Sequence, residues 1–145
     1  MTERKPFSPT LYKQDDSAKW SLIDYLTHKG FDNPRVNPDD YGIDVLAERD
    51  DEPYAFEVEV KHNWKGESFP FPSVHYVGRK TKFINNLVAP LANTYFVTIN
   101  DERTVALRVD GKTFSESPLV AKKTIYTTSE HFVEVAIAKA RFFYL

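Results

Sequence analysis

Cysteine is absent from the 145 residues of this sequence. Disulfide bonds and thiolate metal sites are therefore excluded, and the composition fits a reducing compartment. A chain of this length is expected to form a single domain, residues 1–145, whose core is stable without covalent staples.

Long apolar runs are absent as well. The N-terminal residues MTERKPF lack the apolar stretch of a secretory signal peptide, and no segment approaches the ~20 apolar residues of a membrane span. We therefore expect a soluble, cytoplasmic protein with no membrane partner.

A strong excess of one charge is also lacking. The 19 basic and 21 acidic residues leave a net charge of −2, which argues against a protein that coats nucleic acid. The charges are unevenly placed, however, because acidic residues predominate from Asp44 to Glu59 and basic residues from Lys61 to Lys82. An acidic cluster beside a basic one is what a metal site acting on a phosphate backbone requires.

The clearest pattern in the sequence is a pair of alternating runs, residues 41–48 and 54–61. Alternation with period two predicts strands with one buried and one exposed face, and the short polar break between the runs predicts an antiparallel hairpin. In the second run the apolar and charged side chains fall on opposite faces: Phe56, Val58 and Val60 against Glu57, Glu59 and Lys61.

Burial predicts the register of this hairpin, with the turn centred on residues 51 and 52. Asp44 would then lie opposite Glu59, with Lys61 one step along, and opposed side chains have Cβ atoms about 4.5–5.5 Å apart. Two such carboxylates repel unless a cation lies between them, and Mg²⁺ prefers oxygen ligands of this kind. The lysine would orient a water or stabilise developing negative charge. Glu57, on the same face, could share the ligand role.

Two helices are predicted around the hairpin. Asp15, Asp16 and Ser17 offer capping side chains for a helix over residues 18–29 that ends at Gly30, with Trp20 on its core face. A short strand is expected near residues 35–36. A second helix is predicted over residues 73–91, and the basic residues near its start either contact a phosphate backbone or form a solvated face. Together with a loop lysine they are the candidate DNA contacts: Lys65, Arg79, Lys80 and Lys82.

The loop after the hairpin interleaves aromatic residues with prolines. Trp64, Phe69 and Phe71 either stack on nucleic-acid bases or form small local clusters. His62 follows the charged face directly, but alternation points it to the other side of the strand.

The C-terminal third predicts further strands. Residues 94–99 and 104–109 form a hairpin, residues 123–127 a short strand, and residues 130–140 a strand or a helix. The apolar end, residues 141–145, packs within the domain or against a second copy of the chain, which makes a homodimer a candidate assembly.

The order helix, strand, strand with Asp, strand with Glu-x-Lys, helix, strand resembles the PD-(D/E)XK nuclease superfamily of restriction endonucleases, junction resolvases and phage nucleases. Gly42-Ile43-Asp44 and Glu59-Val60-Lys61 carry the resemblance. Residues 26–31 look like the end of the first helix in the resolvase branch. The match covers roughly residues 16–100.

The resemblance implies an α/β (α+β) fold with a restriction-endonuclease-like core, in which helices flank a central mixed β-sheet in the order αβββαβ, followed by extra C-terminal strands. It implies a Mg²⁺- or Mn²⁺-dependent DNA nuclease, of phage or bacterial type. Asp44 and Glu59 would hold the ion with the carbonyl of Val60, and Lys61 would assist the attacking water.

Two features depart from the family pattern. Many relatives have a glutamate in the first helix, but Lys19 aligns there, so that Asp16 or Asp24 would have to replace it. The proline before the first aspartate is also missing. These departures keep open a catalytically inactive nucleic-acid- or protein-binding module on the same fold. In a third reading, the charged face is merely the solvated side of a sheet.

Overall fold

Nine strands and three helices make up the described part of the chain. A computed structural model describes residues 9–122 and 130–145, with side chains for residues 16–121 and 130–145. The helices are α1 (Pro9–His28), α2 (Lys82–Asn85) and α3 (Gly111–Glu116). The strands are β1 (Asp32–Val36), β2 (Val45–Arg49), β3 (Glu52–Lys61), β4 (Ser73–Val77), β5 (Thr94–Asn100), β6 (Val105–Asp110), β7 (Leu119–Lys122), β8 (Glu130–Ala136) and β9 (Arg141–Tyr144).

The main sheet has six strands in the order β1-β2-β3-β5-β6-β9. β3 and β5 are parallel, and the other four pairs are antiparallel. A parallel pair needs a crossover connection, and residues 62–93 provide it. The predicted α+β class with a mixed sheet is therefore confirmed.

Helix α1 covers one face of the main sheet. Ala18, Leu22 and Leu26 repeat every four residues and pack against residues of β2, β3 and β5, including Val45 and Val97. Gly30 ends the helix region with a φ of 85°, the left-handed conformation that favours glycine, as predicted.

The start of α1 was predicted wrongly. The helix begins at Pro9, so residues 15–17 lie inside it and do not cap it, and residues 9–13 are helical, whereas residues 1–8 lie outside the described part. Proline is tolerated in a first helical turn because its missing N–H would be unpaired there anyway. Trp20 is 58% exposed, contrary to the prediction of a core residue, because the buried stripe runs through Ala18 and Leu22.

A second, three-stranded sheet, in the order β4-β8-β7, packs with α3 over the opposite face of the main sheet. The largest buried side chains of the interface are aromatic, and the rings of Phe96 and Phe114 stack with centroids 3.8 Å apart. Trp64 and Tyr76 are buried in the same cluster. The main sheet is therefore covered on both faces.

The predicted second helix over residues 73–91 is wrong. Its first part is β4, in which Val74 and Tyr76 are buried with period two and pair with β8. Only a 3₁₀ turn, Gly78–Thr81, and the single helical turn α2 follow. Gly78 lies so close to β8 that a Cβ there would meet the His131 carbonyl oxygen at 2.8 Å. Pairing with a distant strand therefore overrides local helical preference.

The C-terminal third matches the predictions in part. β5 and β6 form the predicted hairpin, and residues 130–136 resolve as a strand. Residues 141–144 form β9, the edge strand beside β6, so the apolar end packs within the domain. Helix α3 and strand β7 were not predicted, and the predicted strand over residues 123–127 lies outside the described residues. No helix in the described part is long and apolar enough to cross a membrane.

Candidate functional site

The β2–β3 hairpin sets the geometry of the candidate site. Arg49 pairs with Glu52, so the turn is Asp50-Asp51, whose φ angles of 52° and 63° are those of a two-residue type I′ turn. The predicted turn at residues 51–52 is therefore wrong, and the true register is shifted by two residues. An even shift preserves which side chains share a face, so the charged face is the predicted one.

The register shift changes the partner of Asp44. Val45 is paired with Phe56, so Asp44, one residue further, meets Glu57 and not Glu59 as predicted. The Asp44 amide donates to Glu57 Oε1 at 3.2 Å, and the Val58 amide donates to Asp44 Oδ2 at 3.0 Å. The Asp44 carboxylate thus accepts a hydrogen bond from the β3 backbone just beyond the last residue pair between β2 and β3.

The ammonium that meets these acids belongs to Lys80, carried by the 3₁₀ turn after β4. Lys80 Nζ donates to Glu59 Oε2 at 2.9 Å and lies 3.4 Å from Glu57 Oε2. Its side chain is only 14% exposed. Lys61, which was predicted for this place, instead has its Nζ 5.0 Å from the centroid of the Phe71 ring.

A second cation approaches from α1. Lys19 Nζ lies 3.6 Å from Asp44 Oδ1 and 3.9 Å from Asp16 Oδ1. Asp16 is thus linked to the site by its contact with Lys19, whereas the Asp24 side chain is exposed to solvent. We call Asp44, Glu57, Glu59, Lys19 and Lys80 together the carboxylate cluster.

Burial controls the protonation of the carboxylate cluster. Glu57 is 9% exposed, and burial raises its pKa to about 8, with Lys80 acting in the opposite direction and Asp44 adding to the rise. Burial acts to lower the pKa of Lys80, but attraction to Glu59 and Glu57 outweighs it, so that the pKa is raised and the ammonium stays charged.

The other candidate DNA contacts lie on exposed segments. Lys65 is 74% exposed, with Nζ 3.8 Å from Asp101 Oδ2, and Arg79 Nη1 is 3.7 Å from Glu130 Oε1. Lys82 Nζ lies 5.0 Å from the Phe83 ring centroid. Of the four predicted contacts, Lys80 alone points into the carboxylate cluster.

The loop after β3 forms a local aromatic cluster. Trp64 is fully buried against Phe69 and Phe142, so stacking of Trp64 on a base is excluded in this structure. Phe71 is 36% exposed and remains accessible beside Lys61. His62 Nδ1 lies 3.0 Å from Asp101 Oδ1, a pair that was not predicted.

Sequence reasoning missed the place of Lys80 in the cluster. The one signal was its position near the start of a supposed helix, where basic residues are unfavourable. The contact depends on the turn at Gly78, which follows a strand rather than opening a helix.

The cluster contains carboxyl oxygens, the type of ligand that a hard divalent cation prefers. Within the described residues, no group of three or more His, Cys, Asp or Glu side chains is arranged to hold a metal ion. Lys80 Nζ lies between the carboxyl groups of Glu57 and Glu59, so these two acids are not arranged around a metal ion. Mg²⁺, however, is usually bound through only one or two carboxylates and keeps several waters, so Asp44 and Glu57 are the candidate ligands.

Comparisons of the chain with protein-family models, with curated proteins and with solved structures found no match. The chemistry of the carboxylate cluster is therefore the main guide to function.

Proposed function

We propose that the chain is a Mg²⁺- or Mn²⁺-dependent deoxyribonuclease that hydrolyses phosphodiester bonds at the carboxylate cluster. The observation that carries this proposal is the meeting of the Asp44 and Glu57 carboxyl groups at the end of the β2–β3 pairing, with the Lys80 ammonium beside them. A buried carboxyl group whose pKa is raised to about 8 is typical of functional sites.

The protein groups take distinct roles in this proposal. Asp44 and Glu57 would hold the divalent cation, which when bound supplies an activated water and neutralises phosphate charge. Glu57 would have to lose its proton to solvent in order to hold the ion, since ligands must be deprotonated. The Val60 carbonyl, the further ligand that the resemblance implies, belongs to the same strand, two residues beyond the Val58 amide that donates to Asp44.

Lys80 takes the role that the sequence resemblance gives to Lys61. Its ammonium is fixed by Glu59 at 2.9 Å, so it is positioned without a conformational search to stabilise negative charge on a phosphate. Glu59 is then a positioning residue and Glu57 the second metal-holding acid. Lys61 lies further along the same face of β3 and is proposed to contact the substrate.

DNA is the proposed substrate because the segment that carries Lys80 also carries other cationic side chains. Lys65, Arg79 and Lys82 are carried by the crossover segment between β3 and β5, the same segment that carries Lys80. Contacts of lysine and arginine with phosphates are independent of sequence. We therefore propose backbone recognition with little base specificity.

A second candidate function is a binding module without catalysis, for nucleic acid or protein. It is favoured by Lys19, which stands where the resemblance expects a metal-holding glutamate and lies 3.6 Å from Asp44 Oδ1. Lys19 and Lys80 together can balance the acids without a metal ion.

The deciding experiment is a cleavage assay on labelled duplex, single-stranded and branched DNA with Mg²⁺ or Mn²⁺. We expect cleavage by the unaltered chain and a loss of about 100-fold or more in Asp44→Asn and in Lys80→Ala, because the first removes a ligand charge of the proposed metal site and the second removes the ammonium that stabilises negative charge on the phosphate. Lys61→Ala should lose less than Lys80→Ala. Glu48→Gln, a surface variant on β2, serves as the matched control.

Two outcomes would reject the nuclease. Cleavage that persists in Asp44→Asn and Lys80→Ala would place the activity elsewhere, in a contaminant or another site. DNA binding without cleavage in either ion would support the binding module. Circular dichroism of each variant checks that the fold is kept.

A further inference from the structure

A basic cavity of about 640 Å³ lies on the other face of the main sheet from the carboxylate cluster. Arg108 is paired with Val97, which packs under α1, whereas Glu57 is paired with Phe96, which faces the second sheet. The cavity lies among β6, β9, α3 and the turn before β9. Its volume is in the range of small-molecule binding sites.

Four cations line this cavity: Arg108, Lys112, Lys139 and Arg141. Asp110 is the one acidic side chain in the lining, and its carboxylate accepts from the Thr113 amide and the Thr113 hydroxyl, each at 2.9 Å. Asp110 is thus engaged in capping α3. Within the described residues, none of the four cations forms an ion pair with a carboxylate.

The two arginines are a second and independent indication of an anion-binding site. Arg108 and Arg141 are direct partners in the β6–β9 register, so their side chains lie on the same face. Like charges directly opposite each other on a sheet are destabilising. The Arg108 guanidinium lies 5.3 Å from the Tyr95 ring centroid, a contact that does not neutralise its charge. An anion between the guanidinium groups would remove the repulsion.

We propose that this cavity binds the phosphate groups of a nucleotide or of a nucleic-acid strand. Guanidinium groups match phosphate geometry with two parallel hydrogen bonds, and lysines add point charges. The cavity has four cations and one carboxylate, which already caps α3. This excess of positive charge suits a ligand with several phosphate charges better than a ligand with a single carboxylate. The proposal is separate from the nuclease activity, because none of the cavity residues belongs to the carboxylate cluster.

The test measures binding of three probes to the full chain by calorimetry in buffer containing EDTA. The probes are inorganic tripolyphosphate, a nucleoside triphosphate and a short single-stranded oligonucleotide. Arg141→Gln and Arg108→Gln should each weaken binding about tenfold or more, since each removes charge-assisted hydrogen bonds. Arg35→Gln, on the β1 edge of the same sheet, removes the same charge far from the cavity and should leave binding unchanged.

The outcomes separate the two sources of phosphate. Binding of the triphosphates alone identifies a free nucleotide, and binding of the oligonucleotide alone identifies a nucleic-acid backbone. Absence of binding by all three probes, or an equal loss in Arg35→Gln, would overturn the proposal. Lys139→Gln, in an exposed turn, provides a further variant if an arginine variant fails to fold. Binding of tripolyphosphate in EDTA involves no cleavage, so failure of the nuclease and failure of this site are distinguishable.

Discussion

Replacement of Glu57 by glutamine tests the electrostatics of the carboxylate cluster. The pKa of Glu57 is raised by burial from 4.5 to about 8, so the folded chain binds this proton more tightly than the unfolded chain. The stabilisation is fully present below pH 4.5 and is lost as the pH rises to about 8, above which stability is flat. At 1.36 kcal/mol per pKa unit the upper bound is about 5 kcal/mol. Because Glu57 interacts strongly with neighbouring charged groups, Lys80 above all, we expect about half of that.

The assay is denaturant unfolding of the metal-free chain between pH 5 and pH 9 in EDTA. The unaltered chain should lose about 2–3 kcal/mol of unfolding free energy across this window. Glu57→Gln keeps the shape of the protonated acid without titrating, so its stability should be nearly independent of pH and should exceed that of the unaltered chain at pH 9. Glu48→Gln, whose carboxylate pairs with Arg35 at the surface, is the control and should keep the slope. A slope that survives in Glu57→Gln would refute the assignment.

Variants at three further positions test the fold by the same unfolding measurement. Trp64→Ala should cost about 3–5 kcal/mol, because the side chain is fully buried. Trp64→Phe should cost only about 1 kcal/mol, since the Trp64 Nε1 has no hydrogen-bond partner among the described residues, and equal costs for both would contradict this. Asp51→Gly should stabilise the chain by about 0.5 kcal/mol, because glycine suits its φ of 63°; a loss of stability would disprove the type I′ turn. Arg141→Gln should stabilise the chain at low salt by about 0.2–1 kcal/mol by relieving repulsion from Arg108, and the gain should vanish at high salt.

The sequence predicted the faces of the central hairpin correctly but not its register. Face assignment depends only on alternation, which an even shift preserves. The register depends on which two residues form the turn. Asp50 and Asp51 adopt positive φ angles, but the composition of the loop gave no reason to choose this pair over its neighbours. Asp44 was therefore placed against Glu59 and not against Glu57. The nuclease-like core, the site roles, the DNA partner and the homodimer stay predictions.

The crossover between β3 and β5 could not be predicted for a different reason. Ser73–Val77 is a strand because it pairs with β8, a partner more than fifty residues away in the sequence. Short apolar runs do not distinguish helix from strand by periodicity alone. The error at this segment hid the turn at Gly78 and with it the approach of Lys80 to Glu59.

The most direct test of the central claim is a calorimetric titration of Mn²⁺ into the full chain at pH 7, in two buffers of different ionisation enthalpy. The account predicts one site formed by Asp44 and Glu57. It also predicts release of about one proton per ion, because Glu57, with its pKa of about 8, is protonated before the ion binds. The site should disappear in Asp44→Asn. Absence of Mn²⁺ binding, or binding that persists in Asp44→Asn without proton release, would contradict the account.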